Sequence, residues 1–534
     1  MTGSALPLFV AVPLLAAAAL VLLRGRPRLD AVVLATVLVA STAGGVLLVA
    51  GARGGDVVAH GVGLWPVGIA IPFAADMLTA LMLSVTGLLS ATCAAFALAS
   101  GHATKPFFAP LVLVLTAGVN GALLTADLFN LFVFIEVMLL PSYALFVLAG
   151  PGRGRLRQVA GARLYVTVNL LTSTVFLAGV AFVYGVAGTV NLAELAGAAR
   201  ESDAVATATA VCLFALGIKA AVVPVHGWLA RAYPATSPAV TALFSGLHTK
   251  VAIYAIYRVY AVVFDGDERY LWVGIAVFSV TMVVGVLGAV GETTTRSILA
   301  FHMVSQIGYI LLGVALFTLA GLTAGIFYLL HHMIVKASLF LSTGAIEERY
   351  GTGRLDRLGG LARREPWVAV AFFAAALSLA GLPPFSGFVA KLSLLVAAQD
   401  AGQVAAVVVM VLVSLVTLLS MLKIWSGVFW GAPTPPETDD AEPGTAEPGP
   451  VLVAPSGGST TTSATSATSA TTTLAPPVTA PVRRIGPALL APSLVLAAVT
   501  LGLGLGAELL LGLAETAAAG LLDPSAFVAA VMGS

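Results

Sequence analysis

The stretch "FALGIKAAVVPVHGWLARAYPATSPAV" (214–240) joins an apolar run to a lysine and, five residues on, a proline. The run extends over 204–232, enough to cross a hydrocarbon layer that takes about 20 helical residues. A proline at position i removes the hydrogen bond to the carbonyl of i−4, so Pro224 frees the carbonyl of Ala220 beside Lys219. At membrane depth a freed carbonyl must line a water-filled cavity or meet a polar partner. The same offset, charge then proline, recurs in Glu136 and Pro141, where the carbonyl of Val137 is released. A third interruption, "GLPPFSGFVAK" (381–391), sets Pro383 and Pro384 just before Lys391. Broken helices in corresponding halves of a chain point to inverted-repeat transporters.

Working outward, the 534 residues are 59% hydrophobic and only 10% charged, against about 25% charged in soluble domains. Fourteen runs have spanning length, the first at 5–23, the third at 73–99 and the last at 485–512. The alternating ten-residue pattern of a membrane barrel is absent, so the expected fold is an all-α polytopic membrane protein with about 14 transmembrane helices, broken in the seventh and twelfth. The first run has no basic segment before it and does not read as a cleavable signal. Cys93 and Cys212 fall in apolar runs and predict neither a disulfide framework nor a metal site. One set of loops holds seventeen Lys and Arg and the opposite set four (Arg53, Arg200, Arg258, Arg269). By the positive-inside rule both termini are expected outside. The expected organisation is helices 1–3 (1–106), five-helix units over 107–262 and 271–430, a Pro/Ser/Thr-rich loop (431–484) too polar to fold, and helix 14 with a tail (485–534). Five spans is odd, so the two units are inverted relative to each other.

The 26 basic residues are 20 Arg and 6 Lys. Every Arg is placed in a loop or at a helix end, whereas Lys219, Lys250, Lys336, Lys391 and Lys423 fall within spans. A charge at the bilayer centre costs about 2.5–3.5 kcal/mol on insertion scales. Arginine stays protonated in proteins while a buried lysine loses its proton readily, so a bundle that moves protons would choose lysine. Lys423 lies near a span end beside Trp425 and Trp430, where snorkelling explains it. Glu136 alone among the acids sits mid-span; Asp76 and Asp127 lie near helix starts and Glu508 near the end of the last span. An isolated buried carboxylate would go neutral unless a cation faced it, and Lys219 is the candidate partner. His226, in the break, and His248, His331 and His332 are candidate proton relays, with a satisfied core histidine as the competing reading. No phosphate-cradling loop, iron–sulfur cysteine cluster or haem motif is seen, so no cofactor and no resident metal are expected, and an ion gradient or a partner must supply the energy.

Six stretches carry a resemblance: "DLFNLFVFIEVMLLPSYAL" (127–145), the opening stretch 214–240, "FSGLHTKVAIYAIYR" (244–258), "LAFHMVSQIGYILLG" (299–313), "HHMIVKASLFL" (331–341) and "LAGLPPFSGFVAK" (379–391). Together they resemble the antiporter-like family, which comprises the A-type and D-type components of Mrp multisubunit Na⁺/H⁺ antiporters and the proton-pumping membrane subunits of respiratory complex I. The wording of 128–140 and 245–255 and the lack of a long lateral helix resemble the D-type branch. The resemblance implies two inverted five-helix repeats around a polar axis at mid-membrane, with Glu136 paired to Lys219, Lys250 next, and Lys391 at its end; Lys336 joins them from its position alone. It implies a proton-translocating antiporter subunit rather than an enzyme, in the cell membrane with other Mrp-type subunits, exchanging H⁺ for Na⁺ or another monovalent cation and binding no nucleic acid. The alternative it leaves open is a proton-pumping subunit of an NADH–quinone oxidoreductase or membrane-bound hydrogenase.

Overall fold

A computed structural model describes residues 2–23, 25–63, 65, 70–148, 155–431 and 484–533. The loop expected at 431–484 lies almost wholly outside the described residues, as do Arg24, Arg153 and Arg483 of the charge census.

Each of the fourteen apolar runs coincides with helix over most of its length. The first six are α1 (Leu8–Leu22), α2 (Pro27–Gly51), α3 (Met77–Ala99), α4 (Phe108–Leu124), α5 (Leu128–Leu148) and α6 (Arg155–Ala187). After the single turn α7 (Ala198–Glu201), the seventh run is split into α8 (Asp203–Ala220) and α9 (Gly227–Ala232). Then come α10 (Pro238–Val263), α11 (Leu271–Gly291), α12 (Thr295–Leu316) and α13 (Leu319–Tyr350). The turn α14 (Leu361–Arg364) precedes the split twelfth run, α15 (Pro366–Ala380) and α16 (Ser386–Asp400), and then α17 (Val404–Val428). The chain closes with α18 (Pro487–Leu505), α19 (Ala507–Leu522) and α20 (Ser525–Met532). Among the described residues, twelve helices are long and apolar enough to cross a membrane, while α4 and α15 are apolar but shorter. The molecule is an all-α polytopic membrane protein.

Element order repeats. α4 to α10 and α11 to α17 each run as three long helices, a broken one and a last unbroken one, with only one-turn helices between. Close helix contacts repeat with it. A Cβ on Gly118 or Gly121 of α4 would fall 2.5 Å from Met138 N and 2.3 Å from the Phe134 ring on α5. On Gly285 or Gly288 of α11 it would fall 2.2 Å from Ser305 N and 2.3 Å from the Phe301 ring on α12. The spacings match in both pairs, and only glycine lets the backbones approach so closely. α10 and α13 are enclosed by other helices over whole spanning windows and α12 nearly so, so their polar side chains face protein rather than lipid.

The structure corrects some of these expectations. Residues 73–75 do not open the third span: Val58–Val62 (β1) and Ile71–Ala75 (β2) form an antiparallel pair, Val58 opposite Ala75 and Val62 opposite Ile71. Short strands escape a reading tuned to twenty-residue runs. Pro141 does not interrupt its helix, because α5 continues through it. Glu508 stands just past the end of α18, in the first turn of α19.

Arg258, read as a helix-end residue, is 2% exposed. Its Nη2 donates to Asp76 Oδ2 at 2.6 Å, and its guanidinium lies 4.5 Å from the Phe527 ring centroid. Asp76 also caps α3, accepting from Thr79 N at 3.0 Å, so this one ion pair ties α3 and α10 through its carboxylate and reaches the C-terminal helix through its guanidinium. Removing one partner of a buried ion pair strands the other at a cost of about 3–5 kcal/mol. Arg258→Leu is therefore expected to unfold at lower temperature in detergent than the double variant Asp76→Asn/Arg258→Leu, in which the cap survives and no charge is stranded. Equal melting of the two would count against this account.

Candidate functional site

The side chains singled out in the sequence come from helices on both sides of the two breaks. Lys219, Lys250, Lys336 and Lys391 are 3%, 0%, 0% and 5% exposed.

In the first half α6 supplies the scaffold. Tyr165, Asn169 and Ser173 recur every fourth residue, so they form one stripe. Ser173 Oγ donates to Glu136 Oε1. Asn169 Oδ1 accepts from Lys219 Nζ at 3.2 Å. Tyr165 OH is 2.8 Å from His248 Nδ1 and 3.1 Å from Ser142 Oγ. Glu136 and Lys219 form no direct ion pair among the described residues. Their charges interact across the stripe, each polar head held by a neutral group of α6. The carbonyls released where α8 ends are met as hydrocarbon requires. Ala221 adopts a left-handed conformation at φ 63°, Val222 N donates to Gly217 O at 2.9 Å, and Trp228 Nε1 donates to Ile218 O at 2.9 Å. His226 stands in the break, half-buried, with Nδ1 unpartnered among the described residues.

From α10 onward the row is denser. Lys250 Nζ donates to Ser245 O at 2.7 Å and Thr249 Oγ1 at 3.0 Å, and Lys336 Nζ to Leu299 O at 3.0 Å. His332 lies close enough to both ammoniums to feel their charge, and neither of its ring nitrogens has a partner among the described residues. Lys391 folds back over its own break, donating to Ala380 O and to Ser414 Oγ, both at 2.9 Å, with Nζ 5.5 Å from the Tyr309 ring centroid. Gly381 leaves room for this: at φ +89°, a Cβ there would lie 2.6 Å from Lys391 Cδ. His331 Nδ1 is 2.8 Å from Ser386 Oγ, which is 2.8 Å from Thr500 Oγ1 on α18. Lys423 stands apart, its Nζ capping the end of α11 at Val290 O and Glu292 O, 2.8 and 2.7 Å away.

Three members of the row escaped the sequence reading. His302 is fully buried, 2.8 Å from Ser420 Oγ, and electrostatically within reach of Lys336 and Lys391. Tyr165 and Asn169 are the others. Each had a signal: His302, Gln306 and Tyr309 share one face of α12, as Tyr165, Asn169 and Ser173 share one face of α6. Counted from the paired glycines, Tyr165 and Asn169 stand in α6 where His332 and Lys336 stand in α13. Buried nitrogens without partners among the described residues also cluster here, on His248, His302, Gln306 and His332, as expected of groups that hydrogen-bond to water. Among the described residues no group of three or more His, Cys, Asp or Glu could hold a metal ion. The arrangement is one of proton-bearing groups held by neutral acceptors.

Residues 125–417 match the family model described as NADH:quinone oxidoreductase/Mrp antiporter, TM. The chain is 39% identical over 398 residues to the D-type Na⁺/H⁺ antiporter subunit of Alkalihalophilus pseudofirmus, covering 72% of this chain and 80% of that one. It is 34% identical over 380 residues to the corresponding D-type subunit of Bacillus subtilis, covering 69% and 76%. A chain of the Mrp complex structure from Dietzia sp. DQ12-45-1b superposes with a TM-score of 0.90 at 62% identity, covering 99% of both chains. A chain of respiratory complex I from Thermus thermophilus shares the fold at a TM-score of 0.76 and 22% identity, covering 97% of this chain and all of that one. The chain belongs to the NADH:quinone oxidoreductase/Mrp antiporter transmembrane family, among relatives named as the D-type subunits of Na⁺/H⁺ antiporters.

Proposed function

We propose that this chain is the proton-translocating subunit of a multisubunit monovalent cation (Na⁺)/proton antiporter, a secondary transporter of the cell membrane that makes and breaks no covalent bond. The observation that carries the reading is the row from the half-buried Glu136 through the buried Lys219, His248, Lys250, His332, Lys336 and His302 to Lys391. It spans two helix breaks and holds its ammoniums with carbonyls, amides and hydroxyls. An ammonium so held gives up its proton without stranding a carboxylate. Tyr165, bonded to His248, joins the first group of the row to the second. His226 and His331 flank the breaks as relays.

The blocks 107–262 and 271–430 are read as inverted repeats, supported by the matching element order and glycine contacts. Loop charge favours both termini on the outside. Sodium wants oxygen ligands and lysines repel it, so we place the cation route partly or wholly in partner subunits, coupled to this row by charge.

Exchange is read in everted vesicles holding the full complex, as Na⁺-dependent collapse of a proton gradient. Glu136→Ala and Lys219→Ala are each expected to abolish it while the complex still assembles, and near-normal exchange in either would remove that residue from the path. Lys391→Arg keeps the charge but not the exchangeable proton, so transport should be lost; retained exchange would refute a titrating role. Asn169→Leu deprives Lys219 of its acceptor, a loss worth about 1–3 kcal/mol, and should slow exchange by roughly tenfold. A variant as fast as the parent would demote the α6 stripe to packing. The purified chain alone in proteoliposomes should show no Na⁺-dependent proton exchange, and robust exchange there would overturn the placing of the cation route.

A further inference from the structure

The helix that continues from the last span, α19, carries in its first turn a carboxylate that the proton row does not use. Its depth is fixed by contacts. α15 and α16 are 15 residues each, so the break between them sits at the middle of the membrane. Thr500 of α18 bonds to Ser378 and Ser386 on either side of that break, at 3.0 and 2.8 Å. A Cβ on Gly504 would lie 2.2 Å from Pro384 O within it. Glu508 follows Gly504 by four residues, a rise of about 6 Å, which leaves roughly 9 Å of a hydrocarbon core about 30 Å thick between it and water. A glutamate side chain does not bridge that distance.

Glu508 nevertheless faces away from the protein. Leu505 and Leu509 beside it are 72% and 68% exposed, and Glu508 makes no hydrogen bond or ion pair among the described residues. Gly502 and Gly506, exposed beside these leucines, meet no atom outside their own segment within 4 Å. They form a small-xxx-small pair of the kind that lets helix backbones approach in a bilayer. Glu515, two turns beyond Glu508, keeps that side acidic.

We propose that the outward face of α18 and α19 is a docking surface for a transmembrane helix of a different subunit, one that brings a lysine or arginine to Glu508. The inference rests on the multisubunit reading above. A lone carboxylate in lipid is costly and intramembrane acids find partners, and the acidic face calls for a basic one. A second copy of this chain is a poor occupant, because a two-fold contact sets Glu508 against Glu508.

The test uses the complete complex in native membranes. A photo-crosslinking amino acid at Leu505 or Leu509 should form an adduct with one other membrane subunit, while the same probe at Leu47 of α2, a control face, should not give that adduct. In mild detergent, Glu508→Lys should lose that subunit from a preparation tagged on this chain, and Glu508→Gln, which still accepts a hydrogen bond, should retain it. No protein adduct from either position, or an adduct with a second copy of this chain, would overturn the inference. If the unmodified chain co-purifies with no other subunit, the multisubunit reading itself fails; co-purification without the adduct sinks only the docking face.

Discussion

Two helices, α8 and α15, stop near the middle of a layer that offers no water to their last carbonyls, and the surrounding architecture answers that requirement. Each unsatisfied backbone group in hydrocarbon costs several kcal/mol, so each stop must be met by polar groups of the protein. At α8 the Trp228 indole and a local turn meet the carbonyls. At α15 the Lys391 ammonium does so, with Ser414 bonded to the same Ala380 oxygen at 3.1 Å. Structural need and titratable group coincide in the second break. The lysine that closes the helix end is the last of the buried row.

The breaks also bear on the depth of the lysines beside them. A side chain beside a mid-membrane break is at mid-depth by construction. Neighbouring helices carry polar residues spaced by turns: 165, 169 and 173 on α6; 302, 306 and 309 on α12; 332 and 336 on α13. The two glycine-paired contacts, α4 on α5 and α11 on α12, hold both halves at the same backbone separation. In equivalent places α6 carries Tyr and Asn where α13 carries His and Lys. One half therefore orients charges that stand on other helices, and the other half bears its own.

Much of this was legible in the sequence because each signal there is one-dimensional. Span length, the two Pro breaks and the retreat of arginine from the spans need no knowledge of which helix touches which. The α6 stripe escaped because Tyr, Asn and Ser are ordinary residues in a helix, and only the placing of Lys219 on a neighbouring helix gives Asn169 a task. Pro141 misled for the converse reason: helix neighbours can satisfy a proline's freed carbonyl without breaking the rod.

Arg258 and the four buried lysines show what their surroundings select. Among the described residues Arg258 is the one buried arginine, and it has a carboxylate at 2.6 Å with an aromatic ring over its guanidinium. That is the company a permanent charge requires. None of the lysines has such a partner in contact among the described residues. Their donors end on Asn169, Ser245, Thr249, Leu299, Ala380 and Ser414, acceptors that serve an ammonium and lose little when it becomes an amine. A fixed charge in those places would be stranded, whereas a carboxylate there would pin the proton in place. Neutral acceptors around lysine are the arrangement in which both protonation states are tolerable, and the proposed proton path, empty and full in turn, needs both.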